Sequence, residues 1–280
     1  MLMIGEVPGQ ASRAVYLAAR ESLLLLSWVR DGAASANWGD KLNPVLARSL
    51  SQKNVLHVDD IRGETDLPVY SAIGSTLLHA LTRPYDIWGT GFLRTGEVPA
   101  APVRARIHAV RGHLSRQRLR DLGIDCPDVV GDPALLLPKF YTPSPAGRRY
   151  GLGVIPHCRE LDLLTAEQMP EDSLLIDITG GIFAVVDQIC ACDFIASSSL
   201  HGLICAEAYG IPARWMKLSD RPLGDGFKFH DFYSSIGQEI DGPVVVGDAA
   251  RLKTIRDGHR DHRRRIDLDR LLAACPFRAG

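Results

Sequence analysis

The feature that most limits how this chain can fold is a set of nine short apolar runs. None of them alternates apolar with polar residues. Continuous apolar runs of this length are typical of strands that helices cover on both faces. The predicted strands span residues 22–29, 54–58, 68–73, 85–88, 105–110, 151–156, 173–178, 193–197 and 212–216. Helical stretches are predicted between them at 40–52, 75–82, 113–122, 181–191 and 200–209. This alternation predicts an α/β protein with parallel sheets.

A proline-rich stretch at 138–147 interrupts the alternation and predicts a linker. It divides the chain into an N-terminal open α/β unit at 1–140 and a C-terminal one at 141–265. A terminal helix or tail at 266–280 follows. One sheet of nine or more strands is the alternative.

Charge and hydropathy exclude several functions. The formal net charge is −1, which gives no electrostatic support to a nucleic-acid-binding role. The apolar run at 23–29 is too short to span a bilayer and lacks the flanks of a signal peptide, so we expect a cytoplasmic protein. The cysteines lack zinc-site spacing, and we predict no metal. The charged segment 256–270 is interpreted as a solvated helix face, with contact to anionic lipid as the second interpretation.

Small and polar residues follow the strands of the first unit, where ligands of open α/β sheets bind. A carboxylate at such a place could accept a proton from a hydroxyl, and glycines let backbone N–H groups approach a ligand. Ordinary turns and helix caps are the alternative interpretation. No dinucleotide-binding pattern accompanies them. The candidate residues are Asn37, Asp40, Gly74, Ser75, Gly89, Thr90 and Gly91.

Arg111 comes directly after the fifth strand, with Ser115 four residues later. A guanidinium there can donate two hydrogen bonds to a phosphate or carboxylate in the ligand crevice. Alternatively, it can form an ion pair with an acid at the surface. His157 follows the first strand of the second unit, and is a candidate proton donor or an ordinary structural histidine.

Three serines, Ser197, Ser198 and Ser199, lie between a strand and a predicted helix that begins at Leu200. One serine suffices to cap a helix. The additional hydroxyls, the free N–H groups of the first turn and the helix dipole together predict an anion site. His201, in that first turn, would face the anion and could donate a hydrogen bond or a proton.

Taken in order, these motifs resemble the polysaccharide pyruvyl transferase family, particularly its bacterial exopolysaccharide branch. The resemblance extends from about residue 37 to 240. The motifs that carry it are Asn37-Trp38-Gly39-Asp40, Trp88-Gly89-Thr90-Gly91-Phe92, Val110-Arg111 with Ser115, Gly131-Asp132-Pro133, Ile155-Pro156-His157, Ser198-Ser199-Leu200-His201-Gly202 and the segment 227–237.

The resemblance implies two Rossmann-like domains in a GT-B-like arrangement, with the site in the cleft between an acceptor-side domain and a donor-side domain. It implies phosphoenolpyruvate as donor substrate, no cofactor or metal, and a glycan or lipid-linked oligosaccharide as acceptor. Arg111 then matches the arginine that binds the donor, and His201 the histidine of the Leu-His-Gly motif. A cytoplasmic location, with peripheral contact at the inner face of the cell membrane, fits such an acceptor.

One departure concerns the donor's charge. Several family members have arginine where this chain has Ser199, so another cation must meet the phosphate and carboxylate of phosphoenolpyruvate. Candidates for that cation are Arg94, Arg159, Lys217 and Lys228.

The expected reaction forms a pyruvate ketal on a sugar and releases phosphate. His201, or His157, would protonate the donor, and Asp40 or the departing phosphate would deprotonate the sugar hydroxyl. A nucleotide-sugar-dependent GT-B glycosyltransferase and a non-catalytic sugar- or phosphate-binding module are the alternatives. The sequence sets no oligomeric state.

Overall fold

A computed structural model describes residues 21–30, 37–61, 65–144, 149–257 and 265–279. Within these residues the protein is an α/β structure with two parallel sheets of five strands each. The two sheets rule out the alternative of one large sheet. The strands are β1 Leu23–Ser27, β2 Asn54–His57, β3 Val69–Ser71, β4 Tyr85–Trp88, β5 Arg106–Ala109, β6 Leu152–Ile155, β7 Ser173–Leu175, β8 Ile195–Ser197, β9 Ala213–Lys217 and β10 Val244–Val245.

Seven α-helices accompany the strands in the described part of the chain. Five of them confirm predicted helices, and α6 was not predicted. They are α1 Trp38–Ser51, α2 Leu77–Leu81, α3 His113–Asp121, α4 Ile182–Cys190, α5 Leu200–Ala208, α6 Phe227–Ser235 and α7 Leu268–Ala273. The predicted linker begins inside a 3₁₀ helix, Pro133–Lys139, whose leucines are buried. Part of that linker, residues 145–147, lies outside the described residues.

Both sheets have the same strand order. The first is β2-β1-β3-β4-β5 and the second is β7-β6-β8-β9-β10. In each sheet, the second strand in sequence lies on one side of the first strand, and the third strand lies on its other side. This reversal opens a crevice beyond the carboxyl ends of β1 and β3, and of β6 and β8, which is where such sheets bind ligands.

The two halves of the chain share hydrophobic core. One cluster joins Trp38 and Leu42 of α1 to Ile182 and Val185 of α4. Two side chains of α1 also donate hydrogen bonds to carbonyls of the second half: Trp38 Nε1 to Ile182 at 3.0 Å, and Lys41 Nζ to Thr179 at 2.5 Å.

The segment after the second sheet packs against the first sheet. Trp88 Nε1 donates to the carbonyl of Leu271 in α7 at 2.9 Å. The ring of Phe277 lies edge-on to both Tyr70 and Trp88. The predicted tail is therefore part of the packing of β3 and β4.

Candidate functional site

A cavity of about 150 Å³ collects residues that follow strands of both sheets. It lies at the carboxyl ends of β6 and β8, where the second sheet reverses direction. Ten residues singled out from the sequence line it: Asn37, Asp40, Gly74, Ser75, His157, Arg159, Ser199, Leu200, His201 and Lys228.

The three serines do not act alike. Ser197 Oγ accepts the Ser199 N–H at 3.0 Å and donates to the Ser199 carbonyl at 2.9 Å. Ser198 Oγ donates to Glu160 at 2.6 Å and accepts the His157 N–H at 2.9 Å. Ser199 is the N-cap residue of α5, its side chain makes no cap hydrogen bond, and it lines the cavity. Two serines therefore build the turn, and the third faces the candidate site.

His201 projects from the first turn of α5 against the N-terminus of α1. Its Nδ1 lies 3.3 Å from Asn37 Oδ1, and the same oxygen accepts the Gly39 N–H at 3.4 Å. Because that oxygen is an acceptor, Nδ1 carries the proton and Nε2 keeps a lone pair. Among the described residues, buried Nε2 has no hydrogen-bond partner.

Burial sets the protonation of the two histidines. It lowers the pKa of His201 to about 3, helped by the charges of Lys228 and Arg111. It lowers the pKa of His157 to about 4, helped by Lys228 and Arg159. His157 Nδ1 accepts the Arg159 N–H at 3.1 Å, so its proton is on Nε2. Both rings are therefore neutral at pH 7 in this structure.

Asp40 is the titratable acid of the cavity. Burial raises the pKa of its carboxyl to about 7, and the positive charge of Lys228 opposes this rise. A carboxyl with a pKa near the working pH can both give and take a proton.

Two of the four candidate cations line the cavity, Arg159 and Lys228. Lys228 Nζ donates to the Leu223 carbonyl at 3.2 Å, and burial lowers the pKa of Lys228 to about 8. Within the part of the chain that the structure describes, neither side chain forms an ion pair with a carboxylate. Lys217 instead pairs with Asp220 at 2.6 Å outside this cavity. The cavity is therefore suited to an anion.

Comparison with known proteins identifies the family. Residues 101–220 match the polysaccharide pyruvyl transferase family. The chain belongs to this family. An uncharacterized protein of Acanthamoeba polyphaga mimivirus is 30% identical over 233 residues, which cover 79% of this chain and 77% of that protein. The family match includes Arg111, His157, Arg159 and His201.

Among these residues of the pyruvyl transferase domain, Arg111 does not line the cavity. Its fully buried guanidinium donates from Nε and Nη2 to Asp231 Oδ2, at 3.0 and 2.9 Å. Nη2 also donates to the Phe92 carbonyl, and Nη1 donates to Ser75 Oγ at 2.8 Å. Arg111 therefore reaches the cavity through Ser75, whose own hydroxyl proton remains free to point elsewhere.

Asp231 and Glu160 are buried acids that sequence reasoning did not select. Asp231 accepts the N–H and the hydroxyl of Ser115, both at 2.7 Å, besides its pairing with Arg111. Glu160 accepts the hydroxyls of Ser198 and Ser219, both at 2.6 Å. Asp231 lies in the segment 227–237 that contributes to the family resemblance, so a sequence signal for it was present. Glu160 lies in none of the motifs, so the sequence offered no signal for it.

The predicted glycine turn at 89–91 contacts the 74–76 turn and Arg111, which lie next to the cavity. Thr90 Oγ1 donates to the Gly74 carbonyl at 2.7 Å and accepts the Thr76 N–H at 3.0 Å. A Cβ on Gly91 would lie 2.6 Å from the Arg111 guanidinium. These residues hold the 74–76 turn and admit Arg111, but they do not line the cavity.

Two further properties concern the whole described chain. None of its helices is long and apolar enough to cross a membrane. Nor do residues in the described ranges form a cluster of three or more histidine, cysteine or acidic side chains that could hold a metal ion.

Proposed function

We propose that the protein transfers the pyruvyl group of phosphoenolpyruvate to a glycan hydroxyl pair, forming a pyruvate ketal and releasing phosphate. The observation that carries the proposal is one small cavity with two cations, two neutral histidines and a carboxyl of pKa about 7. Neither cation pairs with a carboxylate of the residues that the structure describes. Its volume of about 150 Å³ suits a small donor better than a nucleotide sugar, since pockets for larger ligands measure roughly 300–1,000 Å³.

The donor's two anionic groups would bind the Arg159 guanidinium, the Lys228 ammonium, the Ser199 hydroxyl and the N–H groups that begin α5. Charge-assisted hydrogen bonds of this kind are about twice as strong as neutral ones. The helix N-terminus adds a partial positive charge. The basic pair supplies the charge that arginine at position 199 would have given.

In the proposed reaction, one proton adds to the methylene carbon of phosphoenolpyruvate, which becomes a methyl group. The C2 atom becomes cation-like, and a sugar oxygen attacks it as its O–H bond breaks. The bond between C2 and the phosphate oxygen breaks next, and a neighbouring hydroxyl oxygen takes its place. Two hydroxyl protons are released and one is consumed, and the phosphate leaves with the remaining one. Binding of phosphate by fixed cations as this charge shifts would supply most of the rate enhancement.

We assign proton delivery to His201 and proton acceptance to Asp40, with His157 as the second candidate acid. His201 is neutral here, so delivery requires that the donor first raise its pKa. A dianion close to Nε2 would do so, since a nearby opposite charge favours the protonated imidazole. Asn37 would hold the ring in the orientation that keeps Nε2 toward the cavity.

The test is a thermal-shift screen of phosphoenolpyruvate against nucleotide sugars, followed by mass spectrometry of sugars incubated with the protein and phosphoenolpyruvate. We expect stabilisation by phosphoenolpyruvate and a product that has gained pyruvate and lost water. His201→Ala should abolish phosphate release while the protein stays folded. Protection by a nucleoside diphosphate alone would indicate the glycosyltransferase, and binding with no product would indicate a non-catalytic module.

We further propose that the two sheets belong to Rossmann-like domains in a GT-B-like arrangement, with boundaries near 140 and 265. The acceptor would be an exopolysaccharide or its lipid-linked repeat unit. A cytoplasmic location with peripheral membrane contact remains a prediction, and residues 258–264 of the charged segment lie outside the described residues.

A further inference from the structure

A larger cavity, of about 760 Å³, lies beside the first sheet. Its lining includes Ser27 and Trp28 after β1, His57 at the end of β2 and Ser75 after β3. These are the carboxyl ends of strands at the point where the first sheet reverses direction. Each sheet therefore has one cavity at its own switch point, which is the place for a ligand in this architecture.

The two cavities are adjacent and share part of their walls. Val29, Ser75, Thr76 and Leu93 line both. Ser75 stands at the boundary with its oxygen held by Arg111 Nη1 at 2.8 Å, so its hydroxyl proton can turn to a ligand on either side. A molecule in the larger cavity would thus place a hydroxyl beside a donor bound near Asp40 and His201.

The larger cavity differs in charge from the 150 Å³ cavity proposed for phosphoenolpyruvate, which we call the donor cavity. Three arginines and two carboxylates line it, and Arg30 is paired with Asp60 at 2.7 Å. Arg83 Nε donates to His79 Nε2 at 2.9 Å. These opposite charges and ring nitrogens offer many hydrogen-bond donors and acceptors, and the near balance of charge gives little net attraction for an anion.

An aromatic ring is fixed in the same lining. His57 Nδ1 accepts the Asp59 N–H at 3.1 Å, so its Nε2 carries the proton and donates to the Trp28 carbonyl at 2.9 Å. The two rings meet edge to face, with centroids 4.4 Å apart. A Trp held in this way can pack on the apolar face of a sugar ring while polar neighbours bind its hydroxyls.

We propose that this cavity is the acceptor subsite and that it binds an uncharged glycan of pyranose rings. The inference rests on the proposed function for its chemical meaning, because it places the glycan next to the donor cavity. The size, the polar balance and the fixed ring each fit sugar hydroxyls and sugar C–H faces, and the shared wall brings such a hydroxyl to Asp40.

The test uses sugar binding, which does not depend on turnover. Saturation-transfer NMR would be recorded with methyl glucoside, methyl galactoside, maltose and lactose on the full chain. Thr82→Trp fills the cavity from the end of α2, and Trp28→Ala removes the ring. We expect at least one sugar to bind the wild type, and both variants to weaken it about tenfold, the loss of one good contact. Thr254→Trp, the same change at an exposed site, should bind as the wild type does.

Phosphoenolpyruvate affinity is measured on the same proteins by calorimetry and should be unchanged in all three variants. Sugar binding that persists in both Thr82→Trp and Trp28→Ala, or that is absent from the wild type, would overturn the assignment. So would a loss of phosphoenolpyruvate binding in Thr82→Trp, because the two subsites would then not be separate. Failure of the wild type to bind phosphoenolpyruvate would instead contradict the proposed donor.

Discussion

At the scale of single residues, burial and neighbouring charges have opposite effects on the pKa of Asp40 in the donor cavity. Burial favours the neutral forms of both Asp40 and Lys228. The charge of Lys228 partly restores the charged form of Asp40, whereas the charge of Arg111 adds to the effect of burial on Lys228. The outcome is a carboxyl of pKa about 7 and an ammonium of pKa about 8 in one small space. Both groups therefore change protonation within the range in which enzymes work.

Binding of phosphoenolpyruvate should weaken as pH rises from 6.5 to 9. Lys228 is charged below its pKa of about 8 and loses that charge above it, while Asp40 gains a negative charge above about 7. Both changes disfavour an anion. Calorimetry across this range would measure the effect. Lys228→Met should weaken binding about ten- to hundredfold at pH 7 and remove the fall near pH 8.

Lys217→Met is the matched control for this prediction, because Lys217 pairs with Asp220 outside the donor cavity. The affinity of the Lys217→Met protein for phosphoenolpyruvate, and the dependence of that affinity on pH, should equal those of the wild type. A Lys228→Met protein that binds phosphoenolpyruvate normally would show that Arg159 alone meets the charge.

Asp40 should lower the stability of the protein at neutral pH. Its folded-state pKa is raised from 3.8 to about 7, so the folded protein keeps a proton that the unfolded chain releases. The stability present below pH 4 is then lost as pH rises to 7, by roughly 4 kcal/mol at most. Asp40→Asn should therefore unfold at a higher temperature than the wild type at pH 8, with little difference at pH 4.

Calorimetric melting of both proteins at the two pH values tests this. Asp241→Asn, at an exposed acid, should show no such pH dependence. Equal melting temperatures of Asp40→Asn and the wild type at pH 8 would contradict the raised pKa.

The residues of the donor cavity were largely predictable because they follow buried strands. Strand ends can be located from apolar runs, and His157, Ser199 and His201 lie within four residues of one. Asp40 lies in the first turn of α1. The pairing of Arg111 with Asp231 could not be predicted, because it joins residues 120 positions apart in sequence. Sequence pattern also could not separate the lining serine from the two that build the turn.

At the scale of elements, the N-terminus of α1 determines where His201 can lie. Gly39 is the second residue of α1, and a Cβ there would come within 2.3 Å of the His201 ring. Glycine inside a helix ordinarily costs about 0.5–1 kcal/mol relative to alanine. Its presence is explained by the approach of the imidazole, which no helix-propensity argument would suggest.

Gly39→Ala should therefore reverse the usual sign of a glycine-to-alanine change. We expect a loss of about 1–3 kcal/mol of unfolding free energy, typical of overpacking, together with reduced pyruvyl transfer. Urea denaturation would measure it. Gly247→Ala is the control, since no atom lies within 4 Å of the place its Cβ would take, and it should be close to neutral. Gly39→Ala at or above wild-type stability would show that His201 can move aside at no cost.

The nine predicted strands are confirmed with end shifts of at most three residues, and one strand and one α-helix of the described chain were not predicted. β10 is only Val244–Val245 at a sheet edge, too short to leave a pattern. α6 begins after Gly226 in a left-handed conformation and mixes aromatic with polar residues. Its buried side chains face the rest of the molecule on several sides, so no clear apolar stripe marks it.

At the scale of the whole molecule, a buried ion pair joins the two halves of the chain. Arg111 follows β5 of the first sheet, Asp231 lies in α6 between β9 and β10 of the second sheet, and both side chains are fully buried. A Cβ on Gly112 would lie only 1.8 Å from the Asp231 carbonyl, so the backbones are also in contact there. The pair fixes α6, and with it Lys228, relative to Ser75 in the first half.

Replacing either Arg111 or Asp231 alone should lower the free energy of unfolding far more than replacing both. Asp231→Leu or Arg111→Met alone leaves an unpaired buried charge and should lower the unfolding free energy by about 3–5 kcal/mol. The double variant should lose much less than the sum of the two. A denaturation double-mutant cycle measures this coupling, and additive losses would show that the two charges act independently.

The return of α7 and Phe277 to the first sheet has a consequence for synthesis on the ribosome. Trp88 and Tyr70 belong to strands made early, yet their cover is translated only after the entire second sheet. Domains usually fold in the order in which they emerge. Here the earlier sheet must keep an apolar face open until the later one has been made. Nascent chains that end before Leu271 should therefore bind chaperones through that face.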